Sequence, residues 1–239
     1  MSEVFFASGS DPAIEAAYKS ARDTFRYFWR EISWERRRIV PAFDLIVVKF
    51  AFRDEGSEEV EQMWVSDVDF DGRLIHGTLL NAPNHLESIS EGDPVSRPLS
   101  ELSDWMLTSQ GTAYGAFTVA VMRAKMKNAE RKQHDDAWGL DFGDPKSPRL
   151  PSMDAEHPMA VNMLGSLEQH LRKNPSATKD ADAQGWTLLH QDALAGNKGC
   201  VEMLLRFGAD PLRKTKGGTT PTELAKSLGW TERAKLLAR

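Results

Sequence analysis

Apolar residues fall along this 239-residue chain in three successive patterns. In the first, Ile14, Ala17, Ala21, Phe25 and Phe28 recur at spacings of three and four, which is one face of a helix. Asp11 suits its cap and Pro12 its first position, and the helix is expected to end before Pro41. Arg36-Arg37-Arg38 reads as a solvated helix end, where cations meet the dipole favourably, with a nucleic-acid contact as the alternative.

The second pattern is short and β-like. Phe43–Phe52 is rich in Val, Ile and Phe, and Val60–Val68 carries Met63-Trp64-Val65. Asp71-Gly72 marks a tight hairpin into a third strand, Arg73–Leu80. After the turns at Asn81-Ala82-Pro83 and Gly92-Asp93-Pro94, Pro94–Pro98 is expected as a short edge strand. Ser103-Asp104-Trp105 opens a strand or a short turn. Gly111–Met126 is expected as a helix with Phe117, Val121 and Met122 on its apolar side. Together these predict an α+β domain over 1–136, a small, mostly antiparallel sheet packed by helices. Prolines 145, 148, 151 and 158 make 137–158 a linker. Within it Trp138, Leu140 and Phe142 alternate, as in an extended segment lying along a domain surface.

The third pattern is a repeat. Gly185-Trp186-Thr187-Leu188-Leu189-His190, Ala193, Gly196-Asn197, Val201, Leu204-Leu205 and Gly208-Ala209-Asp210 are answered by Gly218-Thr219-Thr220-Pro221, Ala225, Gly229-Trp230, Ala234 and Leu236-Leu237. Gly185 and Gly218 stand 33 residues apart, the ankyrin period. Thr187 and Thr220 can cap a helix, Ala193 and Ala225 allow close helix packing, and Gly196 and Gly229 end the first helix of each pair. The stretch resembles the ankyrin-repeat family, with units near 182–214 and 215–239. It departs from the family at Leu188, where Pro is usual, at Asp192, where Ala is usual, and at Thr222-Glu223, where Leu-His is usual. Two units are too few for a stable stack. Pro158–Leu171, stopped by Asn174-Pro175, is expected to supply a degenerate first unit, with docking of the stack on the N-terminal domain as the alternative, and an all-α ankyrin domain is expected over 159–239. The resemblance implies protein binding through turn tips, here including Lys179, Asp180, Gln184, Trp186, Lys214 and Lys216. Trp186 either anchors a partner or packs on the neighbouring unit.

Residues 11–125 resemble a bacterial family known as domain of unknown function 2314. The matching residues are the first helix with Phe25 and Phe28-Trp29, then Val47-Val48-Lys49, Glu61-Gln62-Met63-Trp64-Val65 and Gly77-Thr78-Leu79-Leu80-Asn81. Gly92-Asp93, Val95, Asp104-Trp105 and the Gly111–Met122 segment with Tyr114-Gly115 complete the set. The family brings no activity with it. The resemblance implies an association with bacterial toxin neighbourhoods, type VI secretion among them, sometimes with fused ankyrin repeats.

Charge adds one feature. The net charge is −5, and residues 1–150 carry 18 basic and 25 acidic side chains, a balance of −7. That argues against general nucleic-acid binding and suits a basic partner. Between Arg53 and Arg73 lie Asp54, Glu55, Glu58, Glu59, Glu61, Asp67, Asp69 and Asp71 with no base. They form either a solubilising loop and hairpin or a patch for a basic protein. Asp67–Gly72 opens like a calcium loop, but Thr78 stands where the bidentate Glu belongs, so a hairpin is expected. His134-Asp135-Asp136 reads as a solvated loop. His190 reads as a turn histidine and Cys200, the only cysteine, as a buried small hydrophobe. No metal site, cofactor or catalytic residue is expected, and no apolar run is long enough to span a bilayer. Met1–Asp11 lacks the form of a secretory signal, so a cytoplasmic location is expected. The expected function is an immunity protein that binds a cognate toxin, such as a secreted nuclease, and needs no catalysis. A general adaptor and an enzyme with an inter-domain site are the alternatives.

Overall fold

A computed structural model describes residues 11–153 and 155–238; the short acidic start before Asp11 lies outside them. The chain divides into two compact units. The first runs up to Phe28 and from Arg38 to Pro151, and the second takes Trp29–Arg37 together with the chain from Ser152 onward. Helix α1, Pro12–Glu35, therefore contributes to both.

In the first unit Asp11 caps α1, its Oδ1 accepting the Ala13 N–H at 2.9 Å. Six antiparallel strands follow: β1 Leu45–Phe52, β2 Glu61–Phe70, β3 Leu74–Leu79, β4 Pro94–Pro98, β5 Leu102–Ser109 and β6 Thr112–Gly115. Their spatial order is β4-β3-β2-β1-β5-β6. Val48 faces Val65 on β2 and Trp105 on β5. Phe25, Phe28, Phe50, Met63, Ile75 and Trp105 are fully buried. The Trp105 indole lies 5.2 Å from Phe28 and donates to the Ala21 carbonyl, so the apolar stripe of α1 meets the sheet through a satisfied tryptophan. β4 is the edge strand expected from its prolines, which blunt it against pairing.

The structure corrects three expectations here. Gly111–Met126 is not one helix. Gln110 and Gly111 both have positive φ, 48° and 74°, the geometry of a two-residue hairpin turn. The turn folds Thr112–Gly115 back on Met106–Ser109 as β6, and helix α2 begins only at Phe117 and ends at Lys125. Second, the polar stretch around His134 is a helix, α3, Asn128–Trp138. It lacks an apolar stripe, and side-chain pairs hold it instead: buried Arg123 grips Asp135 at 2.6 and 2.8 Å, and Asp135 meets His134 at 2.9 Å. Third, the expected linker begins too early. Phe142 is buried beside Val47, Met106 and Val119, with Leu140 packed against them. Asp141 exchanges backbone hydrogen bonds with Gly111 and Ala113, and Gly115 donates to the Arg149 carbonyl. The 139–149 segment thus runs beside β6, bridging it at Asp141 and turning at 144–147.

The second unit holds helices α4 Pro158–Lys173, α5 Leu188–Ala195, α6 Lys198–Arg206, α7 Pro221–Ser227 and α8 Thr231–Leu237. α5 packs on α7, while α4 and α8 pack on α6, which gives two layers. Ala193 and Ala225 are completely buried, as close helix approach requires. Thr220 and Glu223 cap α7 reciprocally, the Glu223 carboxylate accepting the Thr220 N–H at 2.7 Å. Gly196 ends α5 at φ 72°, and a Cβ there would run into the Trp230 ring.

The degenerate first unit is completed from far away in sequence. α4 lacks a sequence-adjacent partner helix. Trp34, at the end of α1, is buried with Ala160 and Cys200. Its indole donates to Asn197 Oδ1 at 3.1 Å and stacks 5.7 Å from the His157 ring. Arg37 pairs with Asp192 at 2.9 Å, and Asn197 donates to the same carboxylate oxygen at 2.8 Å. That accounts for the departure from the ankyrin pattern at Asp192: the carboxylate is the acceptor that receives the end of α1.

Candidate protein-binding surfaces

The eight acids between Arg53 and Arg73 divide into two groups. Three are taken up by the fold. Asp54 accepts from the Glu87 and Ser88 N–H groups and from the Ser88 hydroxyl, which together hold its carboxyl below the usual range. Asp71 accepts from the Arg73 and Leu74 N–H groups at 2.8 and 2.7 Å and closes the expected β2–β3 hairpin. Glu61 is 2% exposed and receives the Asn84 and His85 N–H groups at 2.5 to 3.1 Å. Burial alone would raise its pKa, but those N–H groups outweigh it and hold the carboxyl below its ordinary value. Glu61 therefore presents no carboxylate to a partner, which corrects the sequence expectation. Glu61→Gln replaces a charge-assisted acceptor with a poorer one, and we expect a loss of about 1–3 kcal/mol in chemical denaturation. Because the folded pKa is depressed, the Glu61 contribution is present at neutral pH and is lost as pH falls through the acid range. The other five acids, Glu55, Glu58, Glu59, Asp67 and Asp69, are exposed. Asp67 sits at positive φ, 52°, where the β2–β3 register shifts. This bulge keeps Asp67 and Asp69 outward while Val68 and Phe70 are buried.

In the second unit, two turns carry the expected tip residues. Asp182 shapes the first, its Oδ1 accepting the Gln184 and Trp186 N–H groups at 2.8 and 2.9 Å. Lys216 N–H donates to the Gln184 carbonyl at 2.8 Å, so the tips adjoin. Gln184, Lys214 and Lys216 are exposed. Trp186 is half-buried, its ring 6.0 Å from His190, so it packs on its own unit as well as facing outward. His190 is fully buried. Its Nδ1 accepts the Thr187 N–H and its Nε2 donates to the Arg213 carbonyl, and burial lowers its pKa, which together describe a neutral turn histidine. Burial pushes the Cys200 thiol up to about 12, which leaves no thiolate at neutral pH.

One cluster brings together residues that are far apart in the chain. Lys49 and Asp104 are directly opposed on β1 and β5. The Lys49 ammonium lies 4.2 Å from the Trp64 ring centre and donates to Thr118 Oγ1 at 2.9 Å, which donates to Asp104 at 2.6 Å. Asp104 is fully buried and also accepts the Phe117 and Thr118 N–H groups at the start of α2. Burial raises the Asp104 pKa and lowers that of Lys49. These residues, distant in sequence, include several that carry the family resemblance, and the structure makes them one fastening between sheet and helix. No group of three or more His, Cys, Asp or Glu residues among the described ones is placed to hold a metal ion. No helix among them is long and apolar enough to cross a membrane.

An antiparallel sheet domain joined to paired-helix repeats is the architecture of a protein-binding chain, since stacked repeats form extended binding surfaces. Residues 11–142 match the family described as uncharacterized protein conserved in bacteria, domain of unknown function 2314, and residues 184–216 match the ankyrin repeat. The chain belongs to that bacterial family and carries an ankyrin repeat. It is 40% identical over 245 residues to a Neisseria meningitidis serogroup B protein named for its ankyrin repeats, covering 99% of this chain and 97% of the relative. Human protein phosphatase 1 regulatory subunit 27 is 33% identical over 76 residues, 30% of this chain and 49% of that protein. Among solved structures, one chain of a complex between a Bdellovibrio bacteriovorus predatory endopeptidase and an immunity protein is 21% identical. The likeness covers 55% of this chain and 66% of that one at a TM-score of 0.30.

Proposed function

We propose that this protein is an immunity protein that neutralises a secreted bacterial toxin by binding it directly. The observation that carries the reading is the ankyrin unit at 184–216 in a chain of this bacterial family. The association with toxin neighbourhoods implied by the family resemblance supports it. Blocking a toxin requires occupancy of its surface rather than catalysis, so the binding surfaces described above suffice. The five exposed acids suit a basic surface, such as the phosphate-holding cleft of a nuclease.

The test is a tagged pull-down from the source bacterium followed by mass spectrometry. One stoichiometric partner that kills cells lacking this protein, and spares cells that make it, is the expected result. Unrelated host proteins without toxicity would overturn the reading. With the partner in hand, reversing Glu55, Glu58, Glu59, Asp67 and Asp69 to lysine is expected to slow association at least tenfold at low salt and to flatten its salt dependence. Stopped-flow association rates read this directly, and an unchanged rate removes the acidic surface from the interface.

A further inference from the structure

The second ankyrin turn has a chemistry of its own, opposite in sign to the acidic surface of the first unit. From 212 to 216 exposure alternates: Leu212, Lys214 and Lys216 point outward, while Arg213 is half-buried and Thr215 buried. Leu212 is 77% exposed, unusual for a large apolar side chain in a segment whose backbone is this firmly held. Asp210 Oδ1 accepts the Leu212 N–H at 2.8 Å. The Arg213 carbonyl receives His190, and its guanidinium donates to the Lys179 carbonyl at 2.6 Å. Thr215 and Thr219 close the turn through two hydrogen bonds, at 3.0 and 3.2 Å.

Neither Lys214 nor Lys216 is ion-paired among the described residues, whereas Lys19, Lys125, Lys132, Lys198 and Lys235 are. Lys214 acts at a distance on Glu223, whose carboxylate is already engaged by Thr220. Residues 212–218 hold three bases and no acid. An apolar side chain and two unpaired cations at alternate positions, on a backbone already ordered, match an extended partner segment of the complementary pattern.

We infer that the 212–216 turn binds an acidic, extended protein segment in which an apolar residue is accompanied by carboxylates at two-residue spacing. This deepens the protein-binding reading and rests on it. Leu212 supplies the apolar contact, and Lys214 and Lys216 each receive a carboxylate. The segment's side chains between those contacts face away and are unspecified.

The test uses the full chain, immobilised, and a phage-displayed library of random dodecapeptides. Selected peptides are expected to share an apolar residue with Asp or Glu at alternate positions. A synthetic copy of one such peptide should bind, by fluorescence anisotropy, at least tenfold more weakly to Lys214→Glu/Lys216→Glu and several-fold more weakly to Leu212→Ser. All three side chains are exposed, so the variants should melt at the parent temperature, and each melting curve is recorded alongside. Selection of basic peptides, no enrichment, or binding unchanged in both variants would overturn the inference. A toxin captured and neutralised by a chain that selects no acidic peptide would sink this inference while leaving the immunity reading standing. Acidic peptides bound by a chain that neutralises no toxin would do the reverse.

Discussion

Replacing Trp34 with alanine is expected to destabilise the second unit by about 3–5 kcal/mol, the range for removing a large aromatic from a packed interior. Trp34 is 1% exposed and touches Ala160 and Cys200. Without it the Asn197 Oδ1 loses the indole donor, a buried acceptor left short of a partner. A stack of a few units has little stability in reserve. Hydrogen exchange should therefore show loss of protection across 158–238, together with loss of any partner binding by the tips. Trp34→Phe keeps a ring for His157 but no donor for Asn197, and should cost about 1–3 kcal/mol. For the same reason residues 152–239 made alone should be largely unfolded by circular dichroism. A cooperative thermal transition in that fragment, matching the full chain, would refute the role assigned to the end of α1.

The second large effect is expected at Asp104. Asp104→Ala removes the acceptor for the first N–H groups of α2 and for the Thr118 hydroxyl, and leaves the Lys49 charge uncompensated. Breaking one side of a buried charge pair costs about 3–5 kcal/mol. Lys49→Met in the same chain should recover part of that loss, because the stranded charge goes with it, and the non-additivity is expected at about 1–3 kcal/mol. The pH dependence has a definite sign. Burial lowers the Lys49 pKa in the folded chain. A depressed folded value means the unfolded state binds the proton more readily, so stability rises with pH through that interval. In Asp104→Ala, with the opposing carboxyl gone, urea denaturation should show stability increasing with pH below the ordinary lysine range, and the slope should vanish when Lys49→Met is added. A slope that survives the second substitution would assign it to another group.

The parts of this fold that were legible in the sequence are those decided by neighbours in sequence. The ankyrin pairs, the Asp71-Gly72 hairpin and the proline-flanked edge strand each depend on residues within a few positions. Thr112–Gly115 was not legible, because four residues are too few to show a two-residue alternation and only the turn at Gln110-Gly111 directs them back onto β5. Helix α3 carries no apolar stripe, so the pattern was silent where Arg123 and Asp135 decide. The candidate surface divided in the same way. Nothing around Glu61 shows that its carboxylate will be claimed by a loop 23 residues onward. Leu212 could have been noticed as an apolar residue outside every helical stripe, between Asp210-Pro211 and a basic run. The role of Trp34 had a trace in sequence only in reverse, as an aspartate at 192 where an ankyrin helix usually has alanine.

That aspartate has a consequence in time. Paired-helix repeats ordinarily fold from contacts between near neighbours, which form quickly. Here the bonds that complete the stack join residues 155 and 163 positions apart. Closing a loop of that length costs more entropy than any step between adjacent helices. On a ribosome the end of α1 emerges long before α5 and α6 exist, and Trp34 has no seat until they do. Helices made late in the chain, α4 and α6, are thus the ones that bury one of the first tryptophans. Slow translation, or a truncated message, would leave a bulky apolar ring exposed on a helix end, a defined target for chaperones and proteases.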